Sequence, residues 1–121
     1  MLLTTILSGS PLLDAVEQVE SGKNPLARNA ANHAIGPLQI TPVVVDDINR
    51  IYGLKLRHAD MTDPHLSRIV FIKYVNHYAT PERLGREVTD RDRALIWRHG
   101  PDGWKRKESG YWTRIQNLLT N

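Results

Sequence analysis

Helix starts that pair a capping residue with proline are the feature that most constrains how this chain can fold. A Ser, Thr or Asp side chain accepts a hydrogen bond from the first helical turn, and proline suits that turn because its missing N–H would have no partner there. The pattern occurs four times in 121 residues, at Ser10-Pro11, Thr41-Pro42, Asp63-Pro64 and Thr80-Pro81. Since this length corresponds to one domain, the starts predict a single, mainly helical domain over residues 1–121.

Apolar spacing and terminating glycines extend these starts into helices of definite length. The predicted helices cover about residues 11–21, 42–52, 64–78, 90–99 and 109–119, with a short turn at 81–84. The first two helices are expected to end at Gly22 and Gly53. In the last helix, Ile115, Leu118 and Leu119 are expected to face the core.

Two stretches lack this periodicity and are expected to form loops. Residues 23–39 are rich in Gly, Pro and Asn, which predicts a structured loop or a small irregular hairpin, and residues 100–110 form the second stretch. Functional sites usually lie on loops that a rigid scaffold carries. The expected architecture is therefore five to six helices with a structured cleft loop or small hairpin.

Composition excludes several classes of protein. With 40% hydrophobic and 24% charged residues, the chain is neither disordered nor collagen-like, and no apolar run reaches the ~18 residues of a membrane span. It has no cysteine, which excludes disulfides, cysteine zinc sites and a cysteine nucleophile. The histidines at 33, 58, 65, 77 and 99 lack the spacing of a helical zinc site, and we expect no metal and no cofactor.

Charge favours an anionic partner without identifying it. The net charge is +3 and the pI is near 9.4, which suits cell-wall polymer, nucleic acid or a membrane surface. The run Trp104-Lys105-Arg106-Lys107 would suit nucleic acid or anionic wall polymer, although a solvated surface loop is the simpler interpretation. Residues 1–9 are expected to form a loosely ordered extension. They make a poor signal peptide because they lack basic residues, so export would need another route or a longer chain, and the localisation stays open.

Glu20 is the first candidate for chemistry. It follows Val16 by four residues, so it shares the apolar side of its helix, and it lies in the last turn, where the helix dipole disfavours negative charge. Both effects favour the protonated carboxyl at neutral pH, which is the form that a general acid in glycoside cleavage needs. The alternative is an exposed glutamate at a helix end, held in an ordinary ion pair.

The residues after Glu20 form an ordered series of motifs. Glu20-Ser21-Gly22 and Asn24-Pro25 are followed by Gly36-Pro37-Leu38-Gln39, Thr41-Pro42, Ile96-Trp97-Arg98-His99-Gly100-Pro101-Asp102-Gly103 and Tyr111-Trp112. The series resembles the lysozyme-like, soluble-lytic-transglycosylase family. That family has a helix ending in Glu-Ser, a Gly/Asn-Pro turn, a Gly-Leu-Met-Gln-like segment, an aromatic-Asn-x-Gly-Pro loop and a tyrosine at the start of its last helix. The resemblance covers most of residues 12–115.

The resemblance implies a peptidoglycan-cleaving enzyme with a lysozyme-like fold. It would act as a lytic transglycosylase or muramidase on the β-1,4 bond between N-acetylmuramic acid and N-acetylglucosamine. By the same resemblance Glu20 is the general acid/base and Ser21 orients it or the substrate. Tyr111 is expected to lie near the acid and to help hold either the acid or the substrate. The residues expected to bind the glycan strand are Ser21, Asn29, Gly36, Gln39, Trp97, Arg98 and Tyr111. We expect Trp104 to be exposed near the cleft and Trp112 to pack in the core.

The spacing of carboxylates bears on the mechanism. No Asp or Glu lies between Glu20 and Asp46, so the loop offers no local partner for a two-carboxylate glycosidase, which needs one roughly 5–9.5 Å away. Asp46, Asp47 and Asp60 stay open as partners in space. The simpler hypothesis is a single-acid reaction in which the N-acetyl group of the substrate assists and the 6-hydroxyl of the sugar closes a 1,6-anhydro end.

Arg98 departs from the family, which usually has Asn at this position. Arginine is longer, charged and a donor only, so three outcomes are open: it binds a peptide-stem or lactyl carboxylate, it partly fills the cleft, or it points to solvent. Two alternatives to the enzyme stay open, the first because of Arg98 and the missing second carboxylate, the second because of the pI and the run Trp104–Lys107. One is a catalytically impaired, lysozyme-like module that binds glycan, and the other is a small basic helical protein that binds nucleic acid. The leading hypothesis expects a monomer with a glycan strand as its partner and no nucleic acid.

Overall fold

Six α-helices begin at side-chain caps and account for most of the described residues, which are 10–107 and 109–120 of a computed structural model. They are α1 (Pro11–Ser21), α2 (Pro42–Tyr52), α3 (Pro64–Tyr78), α4 (Pro81–Leu84), α5 (Asp90–His99) and α6 (Gly110–Leu119). The caps, each of which accepts a backbone N–H, are Ser10, Thr41, Asp63, Thr80, Thr89 and Ser109. The predicted mainly helical fold is confirmed, and the expectations for residues 1–9 lie outside the described part of the chain.

The ends of the helices follow the local signals. Four of the predicted helices begin and end where the sequence places them, and the short turn after α3 is the single-turn helix α4. The last helix begins at Gly110 because Ser109 is its cap, accepting the backbone N–H of Trp112 at 3.1 Å. The sequence does not predict the 3-10 helices at His58–Thr62 and Gly103–Lys105. Within residues 10–107 and 109–120, no helix is long and apolar enough to cross a membrane.

The loop over residues 23–39 forms a small hairpin, one of the two forms that the sequence allows. Its strands are β1 (Arg28–Asn29) and β2 (Ala34–Ile35), which pair antiparallel with Arg28 opposite Ile35. β2 is buried and β1 is exposed, so the hairpin packs one strand against the domain and presents the other to solvent. This arrangement places the turn residues between the strands at the surface, beside the start of α2.

The helices α3 and α5 form the centre of the hydrophobic core. The Trp97 ring packs against Phe71 with 4.8 Å between ring centroids, and against Tyr74 with 5.6 Å. The largest fully buried side chains come from five of the helices, the segment after β2 and the 3-10 helix at His58–Thr62, and they include Leu13, Leu38, Ile48, Met61, Phe71, Leu95 and Ile115. The helix α6 packs along α1, and both contact α5. The last helix therefore returns to the first, although they lie at opposite ends of the described chain.

Two expectations for single side chains are wrong. Leu118 is 42% exposed, because on this part of α6 it is Ile115 that reaches the core. Trp104 is partly buried against the core and does not line the cleft described below, because the 3-10 helix that carries it packs against α5. Trp112 packs against the core, as the sequence predicts.

Candidate active site

A cleft of about 480 Å³ opens between the hairpin and the helices α1, α2, α5 and α6. Its wall includes six of the side chains that the sequence predicts to act on a substrate, namely Glu20, Asn29, Gln39, Trp97, Arg98 and Tyr111. These residues belong to α1, the hairpin region, α5 and α6, and folding brings them to one place. A cleft of this volume is within the range of sites that bind small ligands.

Glu20 lies in the last turn of α1, with its side chain only 5% exposed. The Tyr111 hydroxyl donates a hydrogen bond to its Oε2 at 2.8 Å, and the Nη1 atom of Arg98 lies 3.4 Å from its Oε1. Burial raises the pKa of Glu20, and this effect outweighs the lowering by Tyr111, Arg98 and Arg114. The carboxyl therefore holds its proton to higher pH than an exposed glutamate does, which suits a general acid, and it is not the exposed helix-end residue of the alternative interpretation.

Tyr111 supports the acid from the first turn of α6. The residue is 6% exposed, and the cap at Ser109 together with the packing of α6 on α1 fixes its place. Burial raises the pKa of its phenol, and the charge of Glu20 raises that pKa further. The hydroxyl therefore keeps its proton and acts as a donor, which orients the carboxyl and stabilises its ionised form.

Arg98, near the end of α5, lies beside the acid. Its side chain is 48% exposed, it contacts Glu20, and its guanidinium carbon lies 5.4 Å from the centre of the Tyr111 ring. Arg98 therefore forms part of the cleft wall, while about half of its side chain is exposed to solvent. Arg114, which no sequence motif indicates, lines the same cleft one turn after Tyr111 on α6. The three-residue spacing on one helix is the signal that could have found it.

Amide side chains from the hairpin region form part of the wall. Gln39 has a left-handed φ of 54°, and its Nε2 donates to the carbonyl oxygens of Ala27 at 3.2 Å and Gly36 at 3.0 Å. The Oδ1 atom of Asn29 accepts the backbone N–H of Ala31 at 2.9 Å. The loop's own backbone therefore holds both amides in place before any ligand binds.

Ser21 and Gly36 do not line the cleft, although the sequence predicts both as glycan contacts. The Ser21 hydroxyl donates to the Pro37 carbonyl at 2.7 Å and accepts the Asn24 N–H at 3.1 Å. Gly36 has a φ of 82°, and a Cβ atom there would lie 2.0 Å from the Met61 carbonyl oxygen. Both residues hold the hairpin region against the rest of the domain, so their observed contacts position the cleft wall.

Apolar residues that the sequence does not predict for the site also line the cleft. Val43 is 75% exposed in the first turn of α2, and Val44, Tyr74 and Pro101 lie in the same wall. These four residues also line an adjoining depression of about 420 Å³, which extends the cleft past α2. Burial raises the pKa of Tyr74 to about 12, so its hydroxyl is protonated at neutral pH. The sequence does not show which of the three consecutive valines at the start of α2 is exposed, so the place of Val43 in the cleft wall could not be predicted.

Glu20 is the one carboxylate among the described residues that line the cleft. Asp46 and Asp47 line the adjoining depression instead, and Asp60 lines neither. Burial alone would raise the pKa of Asp47, but the hydrogen bond from the Tyr78 hydroxyl at 2.5 Å and an arginine beside it bring that pKa below its usual value. Asp47 is therefore an ionised carboxylate whose oxygens already accept hydrogen bonds from Tyr78 and Arg50.

The arrangement provides one carboxyl that can give a proton to an atom bound in the cleft and take one back. In the part of the chain that the structure describes, no group of three or more His, Cys, Asp or Glu side chains is placed to hold a metal ion. No family model matches the chain, and no curated protein matches it significantly.

Proposed function

We propose that this protein is a lysozyme-like enzyme that cleaves peptidoglycan strands at the β-1,4 bond between N-acetylmuramic acid and N-acetylglucosamine, as a lytic transglycosylase. The observation that carries the proposal is the place of Glu20. Its side chain is 5% exposed in a cleft that no other described carboxylate lines. Burial raises the pKa of this carboxyl, which is what the protonation of a leaving sugar oxygen requires.

In the first step Glu20 is the acid. Its proton passes to the glycosidic oxygen while the bond between that oxygen and C1 of the muramic acid unit breaks, and the bonding electron pair stays on the oxygen. The acetamido carbonyl oxygen of the same sugar forms the new bond to C1. The carboxylate that results on Glu20 is stabilised by the Tyr111 hydroxyl and the Arg98 guanidinium.

In the second step Glu20 is the base. The oxygen of the sugar's 6-hydroxyl bonds to C1 and displaces the acetamido oxygen, while the Glu20 carboxylate takes the proton of that hydroxyl. The product is a 1,6-anhydro sugar, and the acid is restored. A muramidase would differ in the second nucleophile, because water would replace the 6-hydroxyl and leave a reducing end.

The lone carboxylate favours this route over a two-carboxylate mechanism. Such a mechanism needs a second carboxyl roughly 5–9.5 Å away across the bond. Asp46 and Asp47, two of the candidates that the sequence leaves open, line the adjoining depression, and Asp47 accepts a hydrogen bond from the Tyr78 hydroxyl there. Assistance by the substrate's own acetamido group supplies the missing nucleophile.

Digestion of purified peptidoglycan, with mass spectrometry of the soluble products, tests the proposal. We expect wild type to release 1,6-anhydro-muropeptides, and Glu20→Gln to lower the rate by about 10²–10⁴-fold, since it cannot donate or accept the proton. Glu82→Gln is the matched control, at an exposed position of α4, and should keep the wild-type rate. Full cleavage by Glu20→Gln would overturn the role of Glu20, and reducing-end products would assign the muramidase route.

A second candidate is a non-catalytic, lysozyme-like module that binds glycan. The observation that favours it is the contact of Arg98 with Glu20, because a cation against the acid favours the ionised carboxylate, which has no proton to donate. It predicts saturable binding of the folded wild-type protein to purified sacculi with no soluble products. Cleavage by wild type rejects this candidate, and failure of the folded protein to pellet with sacculi also rejects it.

A further inference from the structure

The cleft carries an excess of positive charge. Its charged lining residues within 10–107 and 109–120 are Glu20, Arg98 and Arg114. Two arginines against one ionised carboxylate leave one positive charge, and protonation of Glu20 for the proposed reaction leaves both arginine charges unopposed in the lining. A cleft with this balance attracts an anionic group of a ligand.

Arg98 uses little of its hydrogen-bonding capacity on the described part of the protein. A guanidinium carries five N–H donors, and within these residues Arg98 makes one hydrogen bond, the long contact of 3.4 Å with Glu20. Its side chain is 48% exposed, and the guanidinium lies over the Tyr111 ring. The N–H donors of a guanidinium form a planar fork that matches the two oxygens of a carboxylate.

Arg114 acts on the same acid from another helix. It lies three residues after Tyr111 on α6 and lines the cleft. With the other residues that the structure describes, it makes neither a hydrogen bond nor an ion pair. Arg98 on α5 and Arg114 on α6 therefore both line the cleft. Together they carry more N–H donors than the one carboxylate of Glu20 can accept.

We propose that Arg98 and Arg114 bind a carboxylate of the substrate beside the bond that is cleaved, an inference that rests on the proposed function. Arginine recognises carboxylates through paired, charge-assisted hydrogen bonds, which give both affinity and orientation. The preferred substrates are then glycans that carry a carboxylate next to the scissile bond. Neutral glycans of the same backbone are poor substrates, because they leave two cations in the cleft without a partner.

Peptidoglycan offers such a carboxylate from two sources. The lactyl group of N-acetylmuramic acid ends in a carboxyl, which is free where the peptide has been removed and amide-linked where the peptide is attached. The stem peptide also has carboxylates of its own, further from the sugar ring. If the lactyl carboxylate is the group bound, a hydrolase that removes the peptide has to act before this enzyme.

Four glycans separate these cases: peptide-free glycan, the same glycan with its carboxyls converted to methylamides, peptide-bearing glycan, and N-acetylglucosamine oligomers. For wild type we expect kcat/KM on the methylamide to be lower than on the free carboxylate by roughly tenfold to a hundredfold, the worth of a hydrogen-bonded charge pair. Fastest cleavage of peptide-free glycan assigns the lactyl carboxylate, and fastest cleavage of peptide-bearing glycan assigns the stem. Equal kcat/KM on all four overturns the inference while it leaves the proposed function standing.

Arginine variants show whether these two residues carry the preference. Arg98→Gln and Arg114→Gln should raise KM on the carboxylate-bearing glycans by a similar factor, with a much smaller change on the methylamide glycan. Arg57→Gln is the matched control, because Arg57 is exposed, pairs with Asp60 and lies outside the cleft lining. If KM rises equally on the methylamide glycan and on the free-carboxylate glycan, the arginines do not bind the substrate carboxylate.

A binding measurement keeps the inference testable apart from cleavage. Glu20→Gln protein, which retains both arginines, should bind peptide-free or peptide-bearing glycan with a Kd roughly tenfold to a hundredfold below that for the methylamide glycan. If the Kd is the same for all of these glycans, the inference that the cleft binds a substrate carboxylate is wrong. Absence of cleavage by wild type, with this difference in Kd retained, overturns the proposed enzyme and keeps the site.

Discussion

The Tyr111 hydroxyl lies 2.8 Å from the Glu20 carboxylate, across 91 residues of sequence. Both side chains are buried, and they come from different helices: Glu20, the acid, from α1 and Tyr111, the donor, from α6. A buried carboxyl without a hydrogen-bond donor has a strongly raised pKa and is rarely ionised. A carboxyl with several strong partners has a low pKa and holds no proton to donate at neutral pH. Burial keeps the pKa of Glu20 raised, although one phenol and two arginines lower it. The same three groups favour the carboxylate that forms in a reaction.

Replacing Arg98 should raise the pKa of Glu20 further. Arg98 is a positive charge near the carboxyl and lowers its pKa, so in Arg98→Gln the effect of burial is less opposed. The protonated acid then persists to higher pH, and the alkaline limb of the pH–rate profile for peptidoglycan cleavage moves upward. Titration of the Glu20 carboxyl carbon by NMR measures the same shift without any substrate. Arg57→Gln is the control, and an unchanged titration of Glu20 in Arg98→Gln would contradict the prediction.

Replacing Glu20 should stabilise the fold at neutral pH. Its pKa in the folded protein is raised from 4.5, so below that pH both the folded and the unfolded chain hold the proton. As the pH rises from 4.5 through the raised pKa, the unfolded chain ionises first, and the free energy of unfolding falls. Gln does not ionise, and its carbonyl can still accept from Tyr111.

The check is urea unfolding of wild type and Glu20→Gln between pH 4 and pH 8. The stability gained by Glu20→Gln should be smallest at the acidic end and grow toward neutral pH. Glu82→Gln, at an exposed position, is the control for the loss of a carboxylate. A difference in the free energy of unfolding that stays constant over this range would show that burial does not penalise the charge.

Removing the Ser21 hydroxyl should loosen the hairpin region. The hydroxyl donates to the carbonyl of buried Pro37 and accepts from Asn24, so Ser21→Ala leaves two backbone groups without their partner. We expect a loss of about 1–3 kcal/mol in the free energy of unfolding, and faster amide exchange over residues 35–40. Thr113→Ala is the control, since that exposed hydroxyl bonds within its own helix, to the Ser109 carbonyl. Equal stability of the two variants would show that the Ser21 contacts contribute nothing.

A methyl group at Gly36 should destabilise the protein strongly. The added Cβ would lie 2.0 Å from the Met61 carbonyl oxygen, so the loop must move off the 3-10 helix at residues 58–62. Gly36→Ala should lower the free energy of unfolding by about 2–4 kcal/mol, from overpacking and the positive φ together. Gly53→Ala separates the two causes, because Gly53 has a φ of 64° with no atom within 4 Å of the added Cβ. It should cost about 1–2 kcal/mol, and an equal loss in both variants would contradict the steric argument.

The helices were predictable because their signals are local. A cap such as Thr89, whose side chain exchanges hydrogen bonds with Asp92 in the first turn of α5, acts within four residues of sequence. The same holds for the proline that starts α1, and Glu20 was a candidate because four residues separate it from Val16 on one helix. Preferences of this kind are properties of a short segment, and they do not depend on what the segment packs against.

Tertiary structure decided what each candidate residue contacts. The packing of α6 on α1 made Tyr111 the donor to Glu20, and it also brought Arg114, which no motif indicated, into the cleft. The fold of the hairpin region onto the end of α1 likewise gave the Ser21 hydroxyl its partner, the Pro37 carbonyl. The sequence by itself determined where helices begin and end and which carboxyl lies on an apolar helix face. The partners of that carboxyl were decided by the fold, because a hydrogen bond between distant segments forms only where the packing of the whole core brings them together.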